Sequence, residues 1–285
     1  MNAALLLGPN SVIGREFGRV AAECRCVFFS GPPGVGKSLM IQQLALIAQQ
    51  RGRAVYLVRW DVARRVFESH PAGARYPEVE GVTHPAIRWA CGLWVRGAVL
   101  CWHLDHPEFA PLLIGEAPLV GNRFVELAQR REDRAEDLLH AATTEFFVPV
   151  PSVRVRRAIQ RCREQEMRQP RHEQDRASAT PQVLHDLWQE VQRASLGLGL
   201  PNARPDTVDY RPQTYAALYE RLLHARRHTV LRIDELLPVK VSAHQLGRVA
   251  GELTPSHDQA RQLLSEVASC EPGELERVVL NWFWI

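Results

Sequence analysis

No stretch of this 285-residue chain approaches the roughly 20 apolar residues of a membrane span, so no membrane partner is expected. Charge of one sign is scarce in net terms. A formal charge of +3 is too small, by itself, to imply nucleic acid or a lipid surface as a partner. Cysteine is sparse: there are six, and only Cys24 and Cys26 stand close together, with no second pair at zinc-finger spacing. Reduced thiols in a cytoplasmic setting are the simplest reading. Met1 to Gly8 lacks a basic n-region and its apolar run is too short for a signal peptide. No internal repeat is found, and no Asn-Lys-x-Asp segment that would read a guanine base. What remains is ordinary for a soluble globular chain, with 46% hydrophobic and 24% charged residues. The length suits one large α/β domain or a core with a smaller subdomain.

Against that background one segment carries strong information: Gly31-Pro32-Pro33-Gly34-Val35-Gly36-Lys37-Ser38. It fits the phosphate-binding loop pattern at every specified position. Glycines let backbone N–H groups turn inward around phosphate oxygens. Lys37 supplies a point charge for the terminal phosphates, and Ser38 a hydroxyl for a magnesium ion that keeps most of its waters. Cys26 to Ser30 before the loop reads as a buried strand. After it, Leu39, Met40, Leu44, Leu46 and Ile47 fall on helical spacing, up to Gly52. A helix starting there would point its positive end at the anion.

Further along, the pattern alternates. A leading helix is expected over residues 10–22 and a second strand over 53–59, ending at Trp60-Asp61. A long helix follows over 86–103, its stripe being Ala86, Ala90, Leu93, Gly97, Leu100 and Leu104. Leu112 to Gly115 reads as a third strand that stops at Glu116. A helix is expected over 124–140, a fourth strand over 146–150, helices over 181–195 and 215–224, and a fifth strand over 228–233. Helical pieces close the chain over 242–250 and 255–269, and the apolar end, Asn281 to Ile285, should dock on the core. The expectation is therefore a parallel five-stranded α/β sheet flanked by helices. Residues 1–163 and 227–285 would form its core, and 164–226 a helical insertion or lid.

In parallel sheets, ligands sit beyond the carboxyl ends of the strands. Those ends offer the glycine loop, Asp61, Glu116 and an arginine-rich stretch that includes Arg154, Arg157, Arg161 and Arg163. An anion cradle, two carboxylates and several guanidiniums make up the inventory that phosphoryl transfer needs. With these residues in place, the layout resembles the P-loop small-molecule and nucleotide kinases. It is most similar to the branch of chloramphenicol phosphotransferase and zeta-toxin kinases. The resemblance implies a P-loop kinase-like fold, ATP and Mg2+ as cofactors, and a small-molecule or nucleotide acceptor. It implies Asp61 as the base for the acceptor hydroxyl. It also implies a basic lid after the fourth strand, with Arg154, Arg157 and Arg161 over the phosphates. The metal-side acid in such proteins is usually Asp, and here the position is Glu116.

Each assignment has a structural counterpart. Asp61 could cap a helix over Val62 to Phe67, and Glu116 could pair with Arg123. Arg88 and Arg96 are expected on a solvated helix face, with an acidic substrate as the alternative. Trp89, Trp94 and Trp102 are spaced for packing. His103, Asp105 and His106 could suggest a metal site but sit at a helix end before Pro107. Two other function classes compete. Gly31-Pro32-Pro33-Gly34 and Leu231-Arg232-Ile233-Asp234-Glu235 resemble the loop and the acidic motif of AAA-type ATPases. The arginine-rich stretch allows a nucleotide-sensing binding protein.

Overall fold

The computed structural model describes residues 4–79, 81–169, 180–204, 209–238, 242–243, 246 and 249–285. Its centre is β1 (Cys26–Ser30), whose residues are all buried. Alternation splits them between two layers: Val27 and Phe29 face one apolar cluster, Cys26 and Phe28 the other. The next strands out repeat this. In β4 (Thr144–Pro151), Phe146 lies in register with Phe28 and Phe147 with Phe29. The rings meet on opposite faces, at 4.9 Å for Phe28–Phe146 and 5.6 Å for Phe29–Phe147. Strands that are apolar on both faces suit a parallel sheet covered on both sides.

The sheet order is β5-β4-β1-β3-β2-β6, and every pairing is parallel. The remaining strands are β2 (Val55–Val58), β3 (Leu112–Ala117), β5 (His228–Ile233) and β6 (Gly251–Glu252). Five strands are expected from sequence, and the sheet has six among the described residues. The sixth has two residues, paired with Tyr56 and Leu57 of β2, and is too short to leave a periodic signal. Of the helical piece expected over 242–250, residues 242, 243, 246, 249 and 250 are described and none is helical, and Ala250 N donates to the Val55 carbonyl of β2 as the chain enters β6; residues 244, 245, 247 and 248 lie outside the described residues.

One face of the sheet carries α1 (Val12–Glu23) and α2 (Lys37–Gln50); Phe17, Leu44 and Ala48 are fully sealed there. The other carries α3 (Trp60–Ser69) and α4 (Pro85–Asp105). The single helix expected over 124–140 is instead a 3-10 turn, Val125–Leu127, and a separate helix α5 (Arg134–His140). Phe124 at φ 59° starts the turn, and the Asp133 side chain accepts from Glu136 N at 3.1 Å to begin the helix afresh.

The later described helices fold back onto this frame. They are α6 (Val153–Arg168), α7 (Pro181–Gly197), α8 (Pro212–Leu222), α9 (His257–Ala268) and α10 (Pro272–Leu280). Ser152, Thr180 and Ser256 cap α6, α7 and α9. Helices α7 and α8, in the region expected as an insertion, bury Trp188, Val191, Tyr215 and Tyr219 in the same apolar cluster as Phe28 and Phe146. At the end, Trp282 and Phe283 are buried and Trp284 is exposed. No helix among the described residues is long and apolar enough to cross a membrane.

Candidate functional site

Strand order reverses around β1: β3 and β2 lie to one side, β4 and β5 to the other. A crevice is expected beyond the carboxyl end of such a strand. A cleft of about 750 Å³ opens there, lined by Gly34, Gly36, Lys37, Ser38, Asp61 and Glu116 among others.

The glycine loop forms its floor. Gly31, Gly34 and Gly36 have φ of 146°, 83° and 94°, values that a residue with a Cβ rarely adopts. At Gly31 a side chain would also overlap the hydroxyl of Tyr215. That hydroxyl donates to the Ser30 carbonyl at 3.3 Å, so α8 braces the base of the loop. Pro32, buried, and Pro33, half-buried, continue the turn, while Val35 packs into the core with Phe28. No side chain caps α2, whose N-cap is Gly36.

Lys37 is buried. Its Nζ donates to the Pro32 carbonyl at 3.1 Å and meets Glu116 Oε1 at 3.1 Å. Burial lowers its affinity for a proton, and Glu116 partly offsets that. Glu116 reaches Lys37 because β3 adjoins β1 with Glu116 beside Phe29. Just before it, Gly115 leaves room for the Phe28 ring. The expected alternative partner, Arg123, is not what Glu116 meets.

Asp61 is not the helix cap that local sequence allowed. Arg59 holds that position in extended backbone, and Asp61 sits in the first turn of α3. Its half-exposed carboxylate accepts from Arg64 Nε at 3.0 Å, and its charge acts on Lys37, Arg59 and Arg123. Arg64 also meets Glu68, and Arg59 forms a forked pair with Glu252 at 2.6 and 2.7 Å.

The lid arginines divide differently from expectation. Arg154 is exposed and donates to the Asp234 carbonyl at 2.9 Å. Arg157 lines a separate hollow of about 250 Å³, and Arg161 is exposed outside the cleft lining. Between them, Arg156 is buried over Tyr210, 4.5 Å from the ring centroid. The face of α6 that turns to the cleft carries Val155, Ile159, Cys162 and Arg163. Arg163 is therefore the arginine of this helix that lines the cleft. The i, i+4, i+7, i+8 spacing of those residues was the available signal. Arg59 and Arg123 also line the cleft, Arg123 from the segment that follows Glu116.

Other expected features fall into place as packing. Trp94 and Trp102 are buried in the core, and His106 stacks on Trp102 with ring centroids 5.4 Å apart. Arg96 is buried rather than solvated, held by Asp133 at 2.6 Å and Glu136 at 3.0 Å.

Ser38 and Glu116 both line the cleft and offer hard oxygen donors, the chemistry that magnesium prefers. No group of three or more His, Cys, Asp or Glu among the described residues forms a metal cage. A magnesium ion would therefore complete its shell with phosphate oxygens and water, its usual manner of binding.

Comparison of the chain with protein-family models, with curated proteins and with solved structures gives no match.

Proposed function

We propose that this chain is an ATP-dependent phosphotransferase, a kinase that moves the γ-phosphoryl group to a hydroxyl or phosphate of a small-molecule or nucleotide acceptor. The observation that carries the proposal is the contact of Lys37 with Glu116 at 3.1 Å, on the floor of a cleft that also takes in Ser38, Asp61 and Arg163. A parallel sheet with the glycine loop after its central strand supports a P-loop kinase-like fold.

In the proposed reaction, the triphosphate takes over the Lys37 ammonium from the Pro32 carbonyl, and the loop backbone holds the phosphates. Ser38 and Glu116 are the residues that would hold Mg2+, which neutralises charge on the β- and γ-phosphates when bound. Asp61 accepts the proton as the acceptor oxygen bonds to the γ-phosphorus. The bond from that phosphorus to the β–γ bridging oxygen breaks, and ADP leaves with the electron pair. Arg163 faces the phosphates from α6. The six free cysteines suit a reducing cytoplasm, which is where this proposal puts the enzyme.

One observation favours a second reading, a regulatory ATPase of AAA type: Glu235, just beyond β5, lines the same cleft. However, β4 separates β5 from β1, and it is Glu116 that touches Lys37. ATP-driven oligomerisation would favour the ATPase; acceptor-stimulated turnover by a monomer would favour the kinase.

Titration with Mg-ATP and Mg-GTP, paired with a phosphate-transfer screen over metabolite and nucleotide pools, tests the proposal. Lys37→Ala is expected to abolish transfer. Asp61→Asn should leave the nucleotide Kd within about 3-fold and cut kcat by about 10²–10⁴. Unchanged turnover in Asp61→Asn removes that residue as the base. Absence of heat with either nucleotide sinks the proposal as a whole.

A further inference from the structure

The segment after β3 has an unusual backbone. Leu119, Gly121, Asn122 and Phe124 have φ of 61°, 63°, 62° and 59°. Three of these are not glycine, and left-handed backbone is strained in residues that carry a Cβ. The segment is buried, and packing holds it in that form. Leu119 and Arg123 bridge through their backbones at 2.8 and 3.2 Å, and the Tyr219 hydroxyl donates to the Pro118 carbonyl.

The turn positions two guanidiniums. Arg88 Nη1 donates to the Gly121 carbonyl at 2.8 Å, and Arg123 Nη1 to the Val120 carbonyl at 2.9 Å. A Cβ on Gly121 would lie 2.5 Å from Arg123 Nη1 and 3.2 Å from Arg88 Nη1. Two like charges thus converge on one glycine, and neither forms an ion pair among the described residues. The Arg88 Nε is sealed without a partner, as are both amide atoms of the fully buried Asn122. A buried guanidinium is ordinarily met by a carboxylate. In the same cleft Arg59 has Glu252, and Arg64 has Asp61 and Glu68. Arg123 lines the cleft over the Trp60 ring with no such partner. Burial first, and then the neighbouring Arg88, push its guanidinium down to about 9, and Asp61 offsets only part of this.

We propose that Arg123, backed by Arg88, is an oxyanion subsite of the cleft, which receives a carboxylate or phosphate carried by the phosphoryl acceptor. The term acceptor rests on the kinase proposal; the subsite rests on the convergence of the two guanidiniums. The planar fork of Arg123 suits two oxygens of one oxyanion. The acceptor is then a hydroxyl compound that is also an acid or a phosphate ester, rather than a neutral alcohol.

The test is calorimetric titration of inorganic phosphate and, separately, malonate into protein saturated with a non-hydrolysable ATP analogue, which fills the glycine loop. Wild type is expected to bind at one further site. Arg123→Met should weaken that binding by about 10-fold or more, and Arg123→Lys by less, because Lys keeps the charge and loses the fork. Analogue affinity within about 2-fold of wild type in both variants shows that they are folded and that the loop is intact. Tighter binding of phosphate identifies a phosphorylated acceptor, and tighter binding of malonate a carboxylic acid. Equal anion affinity in wild type and Arg123→Met overturns the subsite, as does absence of anion binding in wild type. If the analogue itself fails to bind, the kinase proposal falls separately. The same titration of Lys37→Ala and Lys37→Ala/Arg123→Met, whose loops have lost their cation, then still decides the subsite.

Discussion

Glu126 lies in the 3-10 turn after β3, sealed from water, with its Oε2 atom unpartnered. Burial pushes its carboxyl up to about 7, from an ordinary 4.5. Between those two values the native state keeps a proton that the unfolded chain has released. The contribution of Glu126 to stability therefore falls as pH rises through that window and is level on either side, a loss on the order of 3 kcal/mol in all. Glu126→Gln removes the titration, so urea unfolding should show its stability gaining on wild type from about pH 4.5 to 7. Parallel curves for the two proteins would refute this. Nothing in the sequence marks Glu126, because its environment comes from Gly92 of α4, some thirty positions away. Lys37 and Ser38 are different: their chemistry follows from neighbours in the chain. Arg123 stands between these cases. Its position after a strand was legible, but its burial beside Arg88 was not.

At the scale of elements, α4 shows why periodicity misled. Ala86 and Ala90 of the expected stripe are buried, but its Gly97 and Leu104 are exposed, and Trp94, Val95, Val99 and Trp102 are buried outside it. The helix is apolar nearly all round, and it packs against α3, α5, α9 and α10 as well as the 3-10 turn. A helix surrounded in this way has no single face for a pattern to reveal. Its two interior glycines should respond oppositely to alanine. Gly97 has open space around it, so Gly97→Ala should stabilise by about 0.5–1 kcal/mol. A methyl on Gly92 would overlap the Glu126 carboxyl, so Gly92→Ala should destabilise by about 1–3 kcal/mol. Thermal unfolding of both variants checks the pair, and shifts of the same sign would contradict it. Strand boundaries were most legible in β1, which is buried on both faces, and in β5, an edge strand whose run of six residues still keeps Leu231 and Ile233 buried. They were least legible in β6, where two residues on an edge carry no pattern.

Across the whole molecule, the C-terminal segment closes the core. Trp282 is 1% exposed, and its Nε1 donates to Glu190 of α7 at 3.2 Å; Phe283 packs beside it, while Trp284 is 60% exposed. Trp282→Ala should lower unfolding free energy by about 3–5 kcal/mol. Trp284→Ala should change it by no more than about 0.5 kcal/mol. Denaturant midpoints measure both, and equal effects would show that the end of the chain does not dock as described. The same scale explains α7 and α8. Sequence separates them from the core as an insertion over 164–226, but their aromatic residues join the cluster beneath β1 and β4, and Tyr215 touches the loop.

By itself the sequence determined the alternation of strands and helices, the glycine loop with Lys37 and Ser38, and the docking of the apolar end, because these depend on residues close in the chain and on hydrophobic period. Only the tertiary structure decided that Glu116 meets Lys37, that Arg163 rather than Arg154, Arg157 or Arg161 lines the cleft, and that Arg88 and Arg123 converge on Gly121. Those contacts join residues distant in the chain. Burial and charge there are set by what packs alongside, which no local pattern records.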